Sequence, residues 1–307
     1  MTVVVLAGGT GGAKLARGML DVVGEELVVI ANTADDIEIY GAHVSPDPDL
    51  ITYWLADRID PRGWGIAGDT FAVMDGLREL GVDVWFSLGD RDLAVGLERM
   101  DRLREGARLT EAIADLGTAF AVRGRVLPMS DEPVRTWVAS ASAGGDAWSP
   151  LQEFLIRGAP DAAVRGVEFR GVEAARPTAE VLEALASARA IVIGPSNPII
   201  SIGPILAVPG LRETLRSAPA PVVAVSPIVA GEVLKGPTAA FMAWADQPLS
   251  GRGIAALYGE LLDGIVADEP MDDLPTLRTD LLMSDAASRR RLADETLAFA
   301  DALASAP

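Results

Sequence analysis

Two groups of residues near the start of the chain are suited to chemistry on a phosphorylated ligand. The first is Gly8-Gly9-Thr10-Gly11-Gly12-Ala13-Lys14. Glycine lets a backbone approach a ligand closely, and the N–H groups and dipole at a helix start attract an anion. The loop fails the G-x-G-x-x-G fingerprint because its last position is Lys14, and no Gly-Lys-Ser/Thr follows as a Walker A loop requires. Its simpler reading is a tight strand-to-helix turn with no ligand. The second group is a set of carboxylates: Asp35 and Asp36 in Asn32-Thr33-Ala34-Asp35-Asp36, then Asp47 and Asp49 in Ser45-Pro46-Asp47-Pro48-Asp49. Hard oxygen ligands on separate loops suit Mg²⁺, which takes one or two protein carboxylates plus substrate phosphate oxygens. The same residue types also cap helices and form turns. His43 lies between the two acidic stretches and could orient a substrate, although a structural role is the simpler reading.

Composition removes several alternatives. There is no cysteine, which excludes a thiol nucleophile, disulfides and cysteine–metal sites, and a single histidine excludes a multi-histidine zinc site. Asp and Glu outnumber Lys and Arg by 44 to 26, a net charge of −18, so nucleic acid and anionic membranes are not expected partners. The chain lacks an apolar run long enough for a membrane span and a basic region before its first apolar run. The expected location is cytoplasmic.

The elements that must position these groups read as α/β. Val3–Leu6 is a buried strand running into the glycine loop, and Leu15, Met19 and Leu20 share a helix face after it. Leu27–Ala31 is a second strand, ending at Asn32 beside that loop, on the edge where such sheets bind ligands. Helices are expected from Leu50, over 70–77 with Asp69 as cap, over 92–104 and over 110–116; only 82–88 reads as a strand. This predicts a helical subdomain, 50–119, inserted over the ligand edge of a core made of 1–49 and 120–307. Gly89-Asp90-Arg91-Asp92 is either an internally paired helix cap or a cleft-facing group. Segments 119–127 and 134–141 read as a hairpin, and 142–150 as a small, polar, mobile loop. The α/β rhythm then returns. Strands at 190–193 and 222–225 end in Gly194-Pro195-Ser196-Asn197-Pro198 and Ser226-Pro227, Lys235 sits between glycines, and Arg289, Arg290 and Arg291 read as a solvated run before a C-terminal helix.

Seven stretches in order, AGGTGGAK at 7–14, NTADD at 32–36, SPDPD at 45–49, LGDRDLA at 88–94, LPMSDEPV at 127–134, GPSNPIISIGPILAVPG at 194–210 and VAVSPIV at 223–229, resemble the CofD-type 2-phospho-L-lactate transferases of coenzyme F-420 biosynthesis, called FbiA in actinobacteria. The resemblance implies a Rossmann-like three-layer core with a mostly parallel sheet, and a homodimer. It implies Mg²⁺-dependent transfer of a phospho-three-carbon acid from a guanosine diphosphate-linked donor to the ribitol hydroxyl of the deazaflavin Fo, with GMP leaving. By the same resemblance Asp36 and Asp49 are the metal and catalytic residues. Gly8, Gly9, Thr10, Gly11, Gly12, Lys14, Asp49, Ser87, Asp90, Arg91, Ser196 and Asn197 bind the substrates. The chain departs from the family pattern at Glu38, at Asp49-Leu50 and at Ala94-Val95-Gly96, all near the acceptor side. Two other classes compete: a non-catalytic nucleotide-sugar-binding regulator of a related subfamily that shares the glycine loop, and an NAD-dependent dehydrogenase, which the missing sixth glycine disfavours.

Overall fold

The computed structural model describes residues 1–142, 145–158, 163–234 and 236–305. The first half runs β1 (Thr2–Ala7), α1 (Gly9–Val23), β2 (Leu27–Ala31), β3 (Ile37–Ile39), β4 (Ala42–Val44), α2 (Pro46–Leu55), α3 (Ala72–Glu79), α4 (Asp90–Arg104), α5 (Leu109–Ala119), β5 (Arg125–Pro128), β6 (Arg135–Ser142) and β7 (Gly145–Pro150). The second half runs α6 (Leu151–Arg157), β8 (Val164–Arg170), α7 (Ala179–Ala186), β9 (Ala188–Ile193), α8 (Ile202–Ala207), α9 (Leu211–Arg216), β10 (Val222–Val225), β11 (Ile228–Val229), β12 (Glu232–Val233), α10 (Thr238–Trp244), α11 (Gly251–Tyr258), β13 (Gly264–Ala267), β14 (Thr276–Arg278) and α12 (Ala286–Ala304).

The main sheet has seven parallel strands in the order β14-β13-β10-β9-β1-β2-β5. Its central strands are buried on both faces, which is why they read as unbroken Val/Ile/Leu runs. Val4, Leu6, Ile30 and Ile193 face one helical layer with Val181, Leu185 and Ile254. Val3, Val5, Val29 and Val192 face the other, with Leu15, Met19, Ile51, Ile113 and Leu292. The three-layer α/β architecture expected from the sequence is present. Helix α12 lies against α1 at Gly18, where a Cβ would meet the Arg289 carbonyl. No helix among the described residues is long and apolar enough to cross a membrane.

Several local expectations change. The 50–119 segment does not form one separate unit: Ile51, Leu55, Leu109 and Ile113 of α2 and α5 join the main core. A smaller core holds Met74, Leu88 and Leu93 together with Ala42 and Val44 of the β3–β4 hairpin, so it begins before residue 50. Residues 82–88 are not a strand; no sheet neighbour is offered to them, and Val84 and Phe86 pack on that small core instead. Helix α2 begins at Pro46, four residues earlier than the apolar pattern suggested, with proline in the first turn where its missing N–H costs nothing.

The hairpin expected over 119–141 is absent. β5 pairs in parallel with β2, while β6 starts a separate antiparallel sheet ordered β7-β6-β8. The two apolar runs belong to different sheets, and the proline-bounded loop between them carries the chain across. The expected mobile loop contains strand β7, with Trp148 lying over Gly166 of β8. The arginine run lies inside α12. Arg289 stacks 5.1 Å from the Trp54 ring, and Arg291 pairs with Glu295. Lys235 lies outside the described residues.

Candidate functional site

Chain order reverses between β1 and β9: β2 follows β1 to one side, and β9 lies on the other. A crevice at the carboxyl ends of such neighbours is where open α/β sheets bind ligands. Here the β1–α1 turn meets the loop after β9. The Gly8 N–H donates to Ser196 Oγ at 3.1 Å. A Cβ on Gly11 would meet the Pro195 carbonyl oxygen, one on Gly12 would come within 2.8 Å of Ala7 Cβ, and one on Gly8 would meet the Asp47 carboxylate. Three of the four glycines are therefore dictated by chain-on-chain packing. Gly9 differs, with φ of 63° and open space where a Cβ would stand. The N-cap offers no side chain, so the first-turn N–H groups that a helix leaves without intrahelical acceptors rely on outside partners. One is supplied: the Gly9 N–H donates to Asp47 Oδ1 at 2.6 Å.

All four aspartates are buried, in two pairs. Asn32 joins Asp35 and Asp47, its Nδ2 donating to Asp35 Oδ1 at 3.0 Å and Asp47 Oδ2 at 2.9 Å. Burial and the neighbouring Asp47 charge push the Asp35 carboxyl well above its usual range. Burial pushes Asp47 up to about 6, against the pull of its bonds from Asn32 and Gly9. Asp36 and Asp49 are differently placed. Asp36 accepts from Ser45 Oγ at 2.7 Å and meets His43 Nε2 at 2.9 Å. Both Asp49 oxygens are held by the Arg99 guanidinium, which also donates to the His43 carbonyl at 2.9 Å. Burial still pushes Asp49 up, with Arg99 opposing. Below this pair the Tyr53 hydroxyl donates to Asp92 Oδ1 at 2.7 Å.

Arg99 was not visible as a site residue. It is 1 % exposed and shares the buried stripe of α4 with Leu93, Gly96 and Met100, so an arginine at helical spacing among apolar residues was the available signal.

The remaining expected residues fall in four places. Ser196 belongs to the crevice. Asn197 turns inward on its own loop: Oδ1 accepts from the Ile199 and Ile200 N–H groups, and Nδ2 donates to Thr238 Oγ1. Lys14 sends its ammonium to the Met283 carbonyl at 3.2 Å, beside Trp54. Ser87 and Arg91 are exposed on the smaller core. Asp90 accepts from the Ala72 and Val73 N–H groups and so caps α3, while Asp69, the cap expected for that helix, accepts from Arg91 and Asp92 N–H and caps α4. The two helices exchange caps, so the motif serves as helix capping, with partners drawn from outside it and not from within.

Asp36 and Asp49, the metal pair expected from the resemblance, thus have their oxygens committed to Ser45, His43 and Arg99. Among the described residues no three His, Cys, Asp or Glu side chains are grouped to hold a metal. The Asp35–Asp47 pair also suits a hard divalent cation, because its donors, Asn32 and the Gly9 N–H, are neutral, where Asp49 is held by a guanidinium. It offers two buried, mutually repelling carboxylates, and Mg²⁺ ordinarily takes one or two carboxylates and draws the rest from water and phosphate. Two cavities adjoin the acidic residues, of about 230 and 180 Å³, with Asp36, Glu38 and Arg135 lining both.

Residues 3–287 match the family model described as 2-phospho-L-lactate transferase CofD. Among similar proteins, a 2-phospho-L-lactate transferase of Methanosarcina mazei is 42 % identical over 270 residues, 87 % of this chain and 86 % of that one. A phosphoenolpyruvate transferase of Kitasatospora aureofaciens is 38 % identical over 98 % of each chain. A crystal structure of a UPF0052-family protein from Bacillus halodurans superposes with a TM-score of 0.63 at 18 % identity, covering 97 % of this chain and all of that one, a likeness of fold.

Proposed function

The chain belongs to the 2-phospho-L-lactate transferase CofD family, a transferase of coenzyme F-420 biosynthesis, and from that premise we propose the reaction its site performs. A phospho-three-carbon-acid unit, 2-phospho-L-lactyl or enolpyruvyl phosphate, passes from a guanosine diphosphate-linked donor to the terminal hydroxyl of Fo, and GMP leaves. The observation that carries this reading is the helix start at the β1/β9 switch point, set directly against the buried Asp35–Asp47 pair.

A diphosphate brought there meets two carboxylates of its own sign. Bound Mg²⁺, held by Asp35 and Asp47, would neutralise that repulsion and the charge gathering on the departing phosphate. The chain's own residues position the reactants. First-turn N–H groups of α1 receive the donor phosphates, with Ser196 fixing the β1–α1 turn. Asp49, held by Arg99, braces the cluster toward which the incoming hydroxyl is directed. In the transfer a P–O bond forms to Fo, the P–O bond to GMP breaks, and the hydroxyl proton passes to a carboxylate of the cluster. With no cysteine and with the single histidine paired to Asp36, direct attack is favoured over a covalent intermediate. A cytoplasmic homodimer belongs to the same reading.

The test combines turnover and binding. Purified protein with Fo, Mg²⁺ and fresh donor should yield the phospho-acid product and GMP by liquid chromatography with mass detection; neither appearing would refute the transferase reading and favour a nucleotide-sugar-binding regulator. Mg²⁺ should also raise the melting temperature of the wild type but not of Asp35→Asn. An equal rise in both would remove the metal from this pair.

A further inference from the structure

Arg135 opens β6, just past the loop that leaves the carboxyl end of β5. It is the only Lys or Arg among the described residues lining either cavity beside the acidic cluster. Five of the described acids share those walls; Glu38 is exposed, Asp35 accepts from Asn32, and the other three are held by neighbours. Asp36 is held by Ser45 and His43, Asp131 by the Thr110 N–H and hydroxyl and by Arg108, and Glu132 by the Ser130 hydroxyl and the Arg176 N–H. Among the described residues Arg135 forms no ion pair, and its recorded bond is to its neighbour's carbonyl, Val134, at 2.8 Å. A guanidinium carries five N–H donors in a planar fork that matches a carboxylate. A second observation points the same way. Among the described residues the hydroxyls of Thr33 and Thr136 are buried without a partner, and these residues line one cavity each. Buried polar groups are rarely left unpaired unless a ligand or water completes them.

We infer that Arg135 binds the carboxylate of the three-carbon acid carried by the donor, standing between the two cavities with the Thr136 hydroxyl on one wall and the Thr33 hydroxyl on the other. The inference rests on the transferase reading above. Position favours the acid over the phosphates: the Thr136 N–H donates to the Ala34 carbonyl at 2.8 Å, which sets Arg135 past the carboxyl end of β2, the strand beside β1, so a diphosphate at the α1 start leaves its acid end to reach this wall.

The experiment compares wild type, Arg135→Lys and Arg135→Met. GDP, which lacks the acid, should bind all three with equal affinity by calorimetry. With the phosphoenolpyruvate-derived donor, Arg135→Met should lose at least ~10-fold in kcat/KM, a charge-assisted bond's worth, with Arg135→Lys between and the KM for Fo unchanged. Weakened GDP binding in Arg135→Met would place the arginine on phosphate instead. Unchanged kcat/KM, or a loss shared by every parameter together with a lowered melting temperature in both variants, would overturn the inference. Free phosphoenolpyruvate supplies a readout without turnover: it should bind wild type more tightly than Arg135→Met. If wild type binds it so but turns over no donor, the transferase reading fails and the anion site stands; equal binding removes the site whatever the turnover.

Discussion

Replacing Arg99 with Met isolates the ion pair beneath the site. Arg99 is 1 % exposed, holds both oxygens of Asp49 and donates to the His43 carbonyl. Methionine fills part of the volume and leaves Asp49 buried near Asp36 with no counter-charge. A unit-charge pair at contact contributes about 4 kcal/mol at an effective dielectric of 20, and breaking a buried pair costs about 3–5 kcal/mol. The expected loss at pH 7.5 is therefore about 4 kcal/mol. The loss should depend on pH in a definite direction. Burial already raises the Asp49 carboxyl above its ordinary 3.8, and Arg99 restrains that rise. Without the guanidinium the folded-state value climbs further, so between 3.8 and that value the folded variant binds more protons than the unfolded chain. Its stability then falls as pH rises, and the gap to wild type is widest at pH 7.5. Toward pH 5 the gap should shrink by about 1.4 kcal/mol for each unit by which the added shift carries the carboxyl above pH 5. Urea denaturation at both pH values, repeated for Asp49→Asn and the double variant, reads this directly. The double variant should be more stable than the sum of the single losses predicts, by at least ~2 kcal/mol. A loss of equal size at both pH values with additive singles would refute the ion-pair account.

Three other outcomes are expected. Gly11→Val should lower the melting temperature as well as guanosine nucleotide binding, because its Cβ meets the Pro195 carbonyl; a variant of normal stability that fails to bind GDP would return the glycine to a purely ligand-facing role. Asp92→Asn should stabilise the protein at pH 7.5 and have little effect near pH 4, since burial and the Asp49 charge raise the Asp92 carboxyl to about 6 and its ionisation above that pH costs stability; destabilisation of equal size at both would contradict this. Offered both donors in competition with one acceptor, the enzyme should make the enolpyruvyl product at least as fast as the lactyl one, and a dominant lactyl product by mass would reverse that choice.

The layered α/β core was legible in the sequence because a strand buried on two faces has to be apolar at every position, and 3–6, 27–31, 190–193 and 222–225 are. The glycine loop and the four aspartates were legible for a related reason: few residue types tolerate such tight turns or cluster negative charge. What each of these residues touches was decided by tertiary structure. The spacing of Asp35, Asp36, Asp47 and Asp49 is the same whichever pairs form. Asn32 bridging Asp35 to Asp47, and Arg99 reaching Asp49 across 50 positions, sort them into a pair held by neutral donors and one facing a guanidinium. The exchanged caps of Asp69 and Asp90, and the parting of β5 from β6 into separate sheets, were hidden for the same cause. Periodicity along a chain reports which face of an element is buried, whereas the partner that buries it is set by segments far away in sequence.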